Sequence, residues 1–299
     1  MINIQDSWRN CRNYNGTTEK FGITLNGVNY IVKMPSGGNM SVICEYIASN
    51  FMQALGVNAH SVALAKYGTV FVAVLKDFTS GTNLTLHAYK DTKQSSEDTD
   101  IGTKEYTYED VIYLIEKHVK LSESNKEVAK MNFWDMFIMD TILGNRDRHW
   151  GNWGYLSDGK NYYPAPIYDN GACLFPDVNR AISGYINNRE SFLYDRIFTF
   201  PASLFKVRRS DRCYRTNYYE MYSDLRINKL FASRVKRIRS LYSYKDIFRI
   251  ISGLVFNIPI DNIYKRFYIE IVTLRYMCII ERRDFNKSLV LLEKEEKRS

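Results

Sequence analysis

Three polar side chains of this 299-residue chain stand at a spacing that can do chemistry. Asp147 is followed after four residues by Asn152, and after sixteen more by Asp169-Asn170-Gly171. Phosphoryl transfer from a nucleotide needs one carboxylate to accept or orient the proton of the attacking hydroxyl. It also needs side-chain oxygens that hold Mg²⁺ against the phosphates. Asp147 suits the first task. Asn152 and Asp169 suit the second, because an amide carbonyl and a carboxylate are hard oxygen ligands. Asp147 and Asn152 must share one rigid loop to face the same phosphoryl group, and Gly171 lets the chain turn sharply after the second Asp. In isolation these residues read equally well as turn caps. Their frame argues otherwise: an apolar segment precedes them, Gly144 and Gly151 flank them, and Asp169 completes the set. His149, inside the loop, can hydrogen-bond the loop itself or a phosphate oxygen.

Such a site also needs a lysine on a sheet to pair with phosphates, and a helix glutamate to hold that lysine. Ile31-Val32-Lys33-Met34 places a lysine in an apolar strand, and Glu45 lies about one turn into the following helix. Buried, Lys33 would need Glu45 as its partner; on the other face of the strand it would simply point to solvent. Asn15-Gly16-Thr17-Thr18-Glu19-Lys20 precedes that strand by one hairpin, and its glycine and hydroxyls suit backbone contact with phosphate. Lys76-Asp77-Phe78 ends the small sheet where a hinge would meet adenine.

The elements that must position these residues are legible in outline. Asn26-Gly27 between Phe21–Leu25 and Val28–Met34 predicts a type I′ hairpin. Ser41 is the expected cap of a helix running to about Leu55, ended by Gly56. Val62–Lys66 and Val70–Leu75 predict a second hairpin about Tyr67-Gly68-Thr69. The polar stretch Asp91–Lys104 is a linker or a loop. Tyr108–Val119 and Asn125–Leu143 read as helices, the second apolar nearly all round and so a core helix. Trp153–Leu156 and Tyr162–Tyr168 predict a hairpin, and the remainder to about Glu296 reads as helices, a long one starting at Pro259 and Asp261. The expected class is α+β and bilobal: a small antiparallel-sheet lobe over residues 1–90, a connection over 91–104, and a mainly helical lobe over 105–299.

Composition bounds the alternatives. Hydrophobic residues make up 45% and charged residues 25%, which excludes a disordered chain. The longest apolar run, Val70–Leu75, is far short of the roughly 20 residues that span a bilayer, and the first residues show no secretory pattern. Five scattered cysteines without a CxxC pair suggest reduced thiols and a cytoplasmic location. His60, His87 and His118 are isolated and read as structural or surface residues. The net charge of +8 is uneven. Residues 205–299 hold 22 basic and 11 acidic side chains, a balance of +11, and residues 1–204 carry −3. That basic half could attract an acidic protein, nucleic acid or a membrane surface, or be a set of solvated helix faces. No nucleic-acid-binding motif accompanies it.

Gly144-Asn145-Arg146-Asp147-Arg148-His149-Trp150-Gly151-Asn152, with Phe133-Trp134-Asp135-Met136-Phe137 before it and Pro166-Ile167-Tyr168-Asp169 after it, resembles the HipA-like serine/threonine kinases. Within them it looks most like the short stand-alone CtkA type. The Asp-Arg-His-x-x-Asn core is shared with the related phosphatidylinositol 3/4-kinase fold. The resemblance covers about residues 10–205. It implies a protein-kinase-like fold, ATP and Mg²⁺, Asp147 as catalytic acceptor, and Asn152 and Asp169 as metal ligands. It further implies that Lys33 holds phosphate, that Gly16, Thr17, Thr18 and Lys20 form the phosphate loop, and that Lys76, Asp77 and Phe78 form the adenine hinge. Asn15 stands where family members carry a serine that can be autophosphorylated, with Thr17 and Thr18 beside it. The implied partners are a protein substrate and either a DNA-binding antitoxin or a host-cell protein.

The competing functions are a lipid or small-molecule kinase, on the shared Asp-Arg-His-x-x-Asn, and a non-catalytic pseudokinase. The complete polar set argues against the last. Residues 170–204 balance Arg180, Arg189 and Arg196 against Asp177, Glu190 and Asp195. A site for a polyanionic headgroup needs a cationic excess there, so the expected acceptor is protein.

Overall fold

The computed structural model describes residues 2–14, 16, 18–36, 40–92, 107–210 and 212–298. Four antiparallel strands begin it: β1 (Lys20–Leu25), β2 (Val28–Lys33), β3 (Val62–Tyr67) and β4 (Val70–Lys76), in the order β1-β2-β4-β3. Asn26 and Gly27 both have positive φ, 50° and 76°, and Leu25 pairs with Val28, so the predicted two-residue I′ turn is present. Helix α1 (Met40–Ala54) covers one sheet face. Ser41 lies inside its first turn rather than at its cap, and its Oγ accepts from the Ser36 N–H. Gly56 follows the helix at φ 70°.

Strand alternation sorts the side chains of this sheet. Ile23, Val32, Ala65, Val72 and Val74 form one small core, while Val62, Ala73 and Leu75 pack with Val42 of α1 on the other face. Lys33 pairs with Ala73 across β2 and β4, so it lies on the α1 face and not toward solvent.

Strand β5 (Thr85–Ala88) leaves that sheet and pairs with β6 (Gly154–Ser157), which pairs with β7 (Tyr162–Pro164). The first helical turn after it, α2 (Tyr89–Thr92), stacks Tyr89 on Trp153 at 4.0 Å. Of the expected connection, Asp91 and Thr92 finish α2, and residues 93–104 lie outside the described residues. Helices α3 (Tyr108–Glu116) and α4 (Glu123–Leu143) follow. The Ser122 side chain caps α4 by accepting from the Asn125 N–H, and Gly144 ends it at φ 66°. From Phe133 to Leu143 every α4 side chain is buried, as its all-round apolar pattern requires.

After α5 (Val178–Asn187) and α6 (Arg189–Phe198) the chain departs from the helical expectation. It forms a hairpin of β8 (Ala202–Arg209) and β9 (Arg212–Asn217), turning at Ser210 with φ 52°. In β8 Ser203, Phe205 and Val207 are buried in alternation, a period-two signal diluted by Lys206, Arg208 and Arg209. Helices α7 (Tyr218–Leu225), α8 (Lys229–Leu241), α9 (Tyr244–Phe256), α10 (Asn262–Arg275) and α11 (Phe285–Glu296) complete the lobe. The buried Arg275 donates from Nε and Nη2 to the Thr141 carbonyl at 2.8 and 2.6 Å, which fixes the end of α4 where the Gly144–Asn152 loop begins. The class is α+β.

Candidate active site

The loop after α4 is built on one buried ion pair. Asp140, in the last turn of α4, accepts from Arg148 Nε at 2.9 Å and Nη2 at 3.0 Å, and both side chains are fully buried. Arg148 also donates from Nη1 to the carbonyls of Asn152 and Tyr168, each at 2.7 Å, and from Nη2 to Asn170 Oδ1 at 2.6 Å. All five guanidinium N–H groups are thereby used. Burial alone would push the Arg148 pKa down; the Asp140 carboxylate more than reverses this and raises it. Asp140 further accepts from Asn145 Nδ2 at 3.0 Å, and Asn145 Oδ1 accepts from the Asp147 N–H at 2.9 Å. Asn152 Nδ2 donates to the Asp147 carbonyl at 2.7 Å, and Tyr218 donates its O–H to the Asn145 carbonyl at 2.6 Å.

This network uses the Asp147 backbone and leaves its carboxylate exposed, in no ion pair or side-chain hydrogen bond among the described residues. It uses the Asn152 amide N–H and leaves the amide oxygen for a ligand. Both residues line a cleft of about 560 Å³, which Lys33, Asp169, Gly171 and Thr18 also line.

Across the cleft, Lys33 Nζ donates to Glu45 Oε2 at 2.8 Å and to Asp169 Oδ1 at 2.6 Å. Glu45 is fully buried, Lys33 13% exposed and Asp169 42% exposed, so the pair opens to solvent only at Asp169. Burial opposes the Lys33 charge, but Glu45 and Asp169 outweigh it and hold the ammonium above its ordinary pKa. Burial likewise raises Asp169, and Lys33 outweighs it, leaving the carboxyl below its ordinary value. Asp169 sits at φ 58°, a left-handed position that Asp tolerates better than most residues. Asn170 locks the segment: its N–H donates to Glu45 Oε1 at 2.8 Å, and its Nδ2 to Ser49 Oγ at 2.9 Å. Gly171 is needed for space, since a Cβ there would stand 3.1 Å from Glu45 Oε2 and 3.3 Å from the Ser41 carbonyl.

The phosphate-loop residues are partly placed. Thr18 lines the cleft. Gly16 has φ 123°, and a side chain on it would collide with the Lys20 ammonium. Burial and the Lys33 charge together lower the Lys20 pKa, and Lys20 is not among the residues that line the cleft. Asn15 and Thr17 lie outside the described residues.

The hinge residues do not line the cleft. The Lys76 side chain is exposed, its N–H donates to the Ser61 carbonyl, and its carbonyl accepts from His60 Nε2 at 2.7 Å. Asp77 is buried and consumed by local bonds, accepting from Thr79, from Arg12 Nη1 at 3.2 Å and from the Tyr14 hydroxyl at 3.0 Å. The Phe78 ring packs on His60 at 4.8 Å and near Tyr168 at 6.3 Å. Tyr14 reaches Asp77 beneath Gly22, whose Cβ position is 3.1 Å from the Tyr14 ring. His149 takes the first of its two expected roles. Its Nδ1 accepts from the Gly151 N–H at 2.9 Å, and the ring does not line the cleft.

Arg148, Asp140, Asn145 and Asn170 escaped the sequence reading as positioning residues. Arg148 lay inside the motif itself; the signal was a permanent charge between two residues required to be rigid.

The donor set fits Mg²⁺. Among the described residues no three His, Cys, Asp or Glu side chains gather into a metal cluster, and a phosphate-bound Mg²⁺ needs none, since one or two carboxylates and the phosphates suffice. Asp169 and the Asn152 amide oxygen are the residues that would hold it.

A sequence model described as the HipA-like C-terminal domain matches residues 13–189. The chain belongs to the HipA-like family. It is 30% identical over 272 residues to the serine/threonine-protein kinase CtkA of Helicobacter pylori (strain J99 / ATCC 700824), over 88% of this chain and 80% of that one. The crystal structure of a Helicobacter pylori proinflammatory kinase CtkA superimposes with a TM-score of 0.82 at 29% identity, covering 97% of this chain and 98% of the other. HipA of Shewanella oneidensis MR-1, solved with HipB and operator DNA, matches with a TM-score of 0.56 at 15% identity over 93% of this chain and 67% of HipA, and it shares the fold. The HipA-like chain is thus an enzyme of the protein-kinase class, with the α+β architecture of CtkA.

Proposed function

We propose that this HipA-like protein is an ATP- and Mg²⁺-dependent kinase that phosphorylates serine and threonine in protein, its own chain included. The observation that carries the reading is the meeting of Lys33, held by buried Glu45, with Asp169, Asp147 and Asn152 around one cleft. Lys33 supplies the positive charge that phosphates need. Asp147, with an exposed and unbonded carboxylate, accepts or orients the proton of the attacking hydroxyl. Bound at Asp169 and Asn152, Mg²⁺ would neutralise charge on the phosphates. Arg148 and Asn170 keep the catalytic loop and the Asp169 segment in one register, so that the groups on both stay aimed at the same point.

The partners follow the relatives' settings. HipA is found with HipB and operator DNA, and CtkA is described as proinflammatory, so an antitoxin and a host-cell protein are the two partner classes. Among the described residues no helix is long and apolar enough to cross a membrane. All five cysteines are free thiols, which supports the cytoplasmic reading. The test incubates the purified chain with ATP and Mg²⁺, alone, with a serine/threonine peptide library and with phosphatidylinositol vesicles. Phosphosites on the chain and on peptides, mapped by mass spectrometry and lost on chelating the metal, are expected. Vesicle labelling above peptide labelling would favour the lipid reading.

A further inference from the structure

We propose that His60 is a positioning residue of the nucleotide site, bracing the end of β4 against the segment that carries Asp169. The role rests on the kinase reading given above, and the residue itself does not line the cleft. His60 lies between α1 and β3 and is 4% exposed. Its main chain is tied to the Asp169 segment. The His60 N–H donates to the Ile167 carbonyl and the Ile167 N–H to the Asn58 carbonyl, both at 2.8 Å, with Ala59 bridged to Ile167 in parallel. Ile167 stands two residues before Asp169. The His60 side chain reaches the sheet instead. Its Nε2 donates to the Lys76 carbonyl at 2.7 Å, at the end of the strand whose Ala73 pairs with Lys33. Rings run beside this link, His60 on Phe78 at 4.8 Å and Phe78 toward Tyr168 at 6.3 Å. One residue thus joins the strand pair that carries Lys33 to the segment that carries Asp169.

The chemistry of the ring argues for a brace rather than a space-filler. A carbonyl only accepts, so Nε2 carries the proton and Nδ1 is a bare acceptor. Nδ1 is buried with no hydrogen-bond partner among the described residues, and burial holds the imidazole below its ordinary pKa. A buried nitrogen left unpaired opposes folding, and a phenylalanine would fill the same space without one. The group that offsets this is the Nε2–H, through its bond to Lys76.

Two other links between these parts run through groups that the nucleotide site needs. Lys33 meets Asp169 directly at 2.6 Å, and Glu45 spans from Lys33 Nζ to the Asn170 N–H, each at 2.8 Å. Lys33 is asked to hold phosphate and Asp169 to hold Mg²⁺, so a bound nucleotide disturbs both links. His60, Lys76 and Ile167 line no part of the cleft, so their link stays as it is. A nucleotide held by Lys33 and, through Mg²⁺, by Asp169 gains from both only while the two stand at a fixed spacing. His60 keeps that spacing.

The experiment titrates the full chain, as parent, His60→Phe, His60→Asn and His60→Gln, with N-methylanthraniloyl-ATP in Mg²⁺ and in EDTA, beside thermal scans. Phenylalanine keeps a ring and loses the donor, and asparagine is too short to reach the Lys76 carbonyl. The glutamine amide can place an N–H near the Nε2 position. The gain in affinity on adding Mg²⁺ is expected to shrink about tenfold in His60→Phe and His60→Asn. Affinity in EDTA should stay within about twofold of the parent's, because Lys33 then acts without Asp169. His60→Gln should recover most of the Mg²⁺ gain. In the transfer assay KM for ATP should rise about tenfold in His60→Phe, with KM for the peptide unchanged. A folded His60→Phe or His60→Asn with the parent's Mg²⁺ gain would overturn the proposal. So would a His60→Gln as poor as His60→Phe, or an equal loss with and without metal, which is plain structural damage. A parent that binds nucleotide and transfers phosphate beside an unaffected His60→Phe overturns this proposal alone. A parent without Mg²⁺-dependent nucleotide binding overturns the kinase reading and, with it, the role of His60.

Discussion

Replacing Arg148 by lysine isolates the buried network from the charge it carries. The positive charge beside Asp140 is kept, but a fork of five donors becomes one ammonium with three. At least two of the five acceptors, which are the two Asp140 oxygens, the Asn152 and Tyr168 carbonyls and Asn170 Oδ1, must lose their partner. Each buried acceptor left unpaired costs about 1–3 kcal/mol, so the substitution should destabilise by roughly 2–6 kcal/mol. With an unfolding entropy of about 2.1 cal/mol/K per residue over 299 residues, that range lowers Tm by roughly 3–10 °C. Activity should fall by more than stability explains. The same guanidinium ties the Asn152 end of the catalytic loop to the Tyr168–Asn170 segment, and a displacement of about 1 Å between reacting groups can cost 10²-fold. The assay is kcat with saturating ATP, Mg²⁺ and peptide at a temperature where circular dichroism shows the variant folded, beside a thermal scan. We expect kcat down about 10²-fold in folded protein. A folded Arg148→Lys enzyme with the parent's kcat would refute the positioning role, and an unchanged Tm would refute the count of lost hydrogen bonds.

Lys33→Ala should weaken nucleotide binding with or without Mg²⁺, whereas Asp169→Asn should weaken only the Mg²⁺-dependent part; nucleotide titrations with and without metal distinguish them. Gly171→Ala forces a methyl against Glu45 Oε2 and the Ser41 carbonyl, so about 1 kcal/mol of stability and some nucleotide affinity should be lost, as read by denaturant unfolding and titration. Burial, reinforced by Lys120 and Lys126, pushes the His118 imidazole down to about 4 from its ordinary 6.5. Between those values the unfolded chain binds the extra proton and the folded chain does not, so stability is present above pH 6.5 and declines as pH falls toward 4. His118→Gln should flatten that part of the Tm–pH curve, and an unchanged slope would remove His118 as its cause.

The chemistry of the site was more legible than its architecture. Asp147, Asn152 and Asp169 are proposed from their spacing together with their frame of a core helix and flanking glycines, because phosphoryl transfer restricts both residue type and offset, and the fold brings all three to one cleft. The partnership of Lys33 and Glu45 was left open in the strand pattern; the β2–β4 register settles that Lys33 faces α1. Asn26-Gly27 fixed its hairpin through local backbone chemistry. What stayed hidden was non-local. Nothing near Thr85–Ala88 announces a partner strand at Gly154–Ser157. The β8–β9 hairpin alternates over too few apolar positions to compete with its basic residues. Asp77, expected at a hinge, is claimed by Arg12 and Tyr14 from more than sixty residues away. Arg148 shows the same limit inside a recognised motif, since a buried fork is defined by acceptors that only the fold brings together.

In the proposed reaction Asp147 performs the proton-handling step, in a site otherwise intact without it. Only its backbone takes part in the loop's hydrogen bonds, so Asp147→Asn leaves the network untouched. The deciding measurement is phosphate transfer from ATP by parent and Asp147→Asn in parallel, with nucleotide affinity and Tm taken on the same preparations. Unchanged Tm, nucleotide affinity close to the parent's, and transfer reduced by about 10²–10⁴-fold are expected. Transfer near the parent's rate in a variant that still folds and binds nucleotide would contradict this role of Asp147.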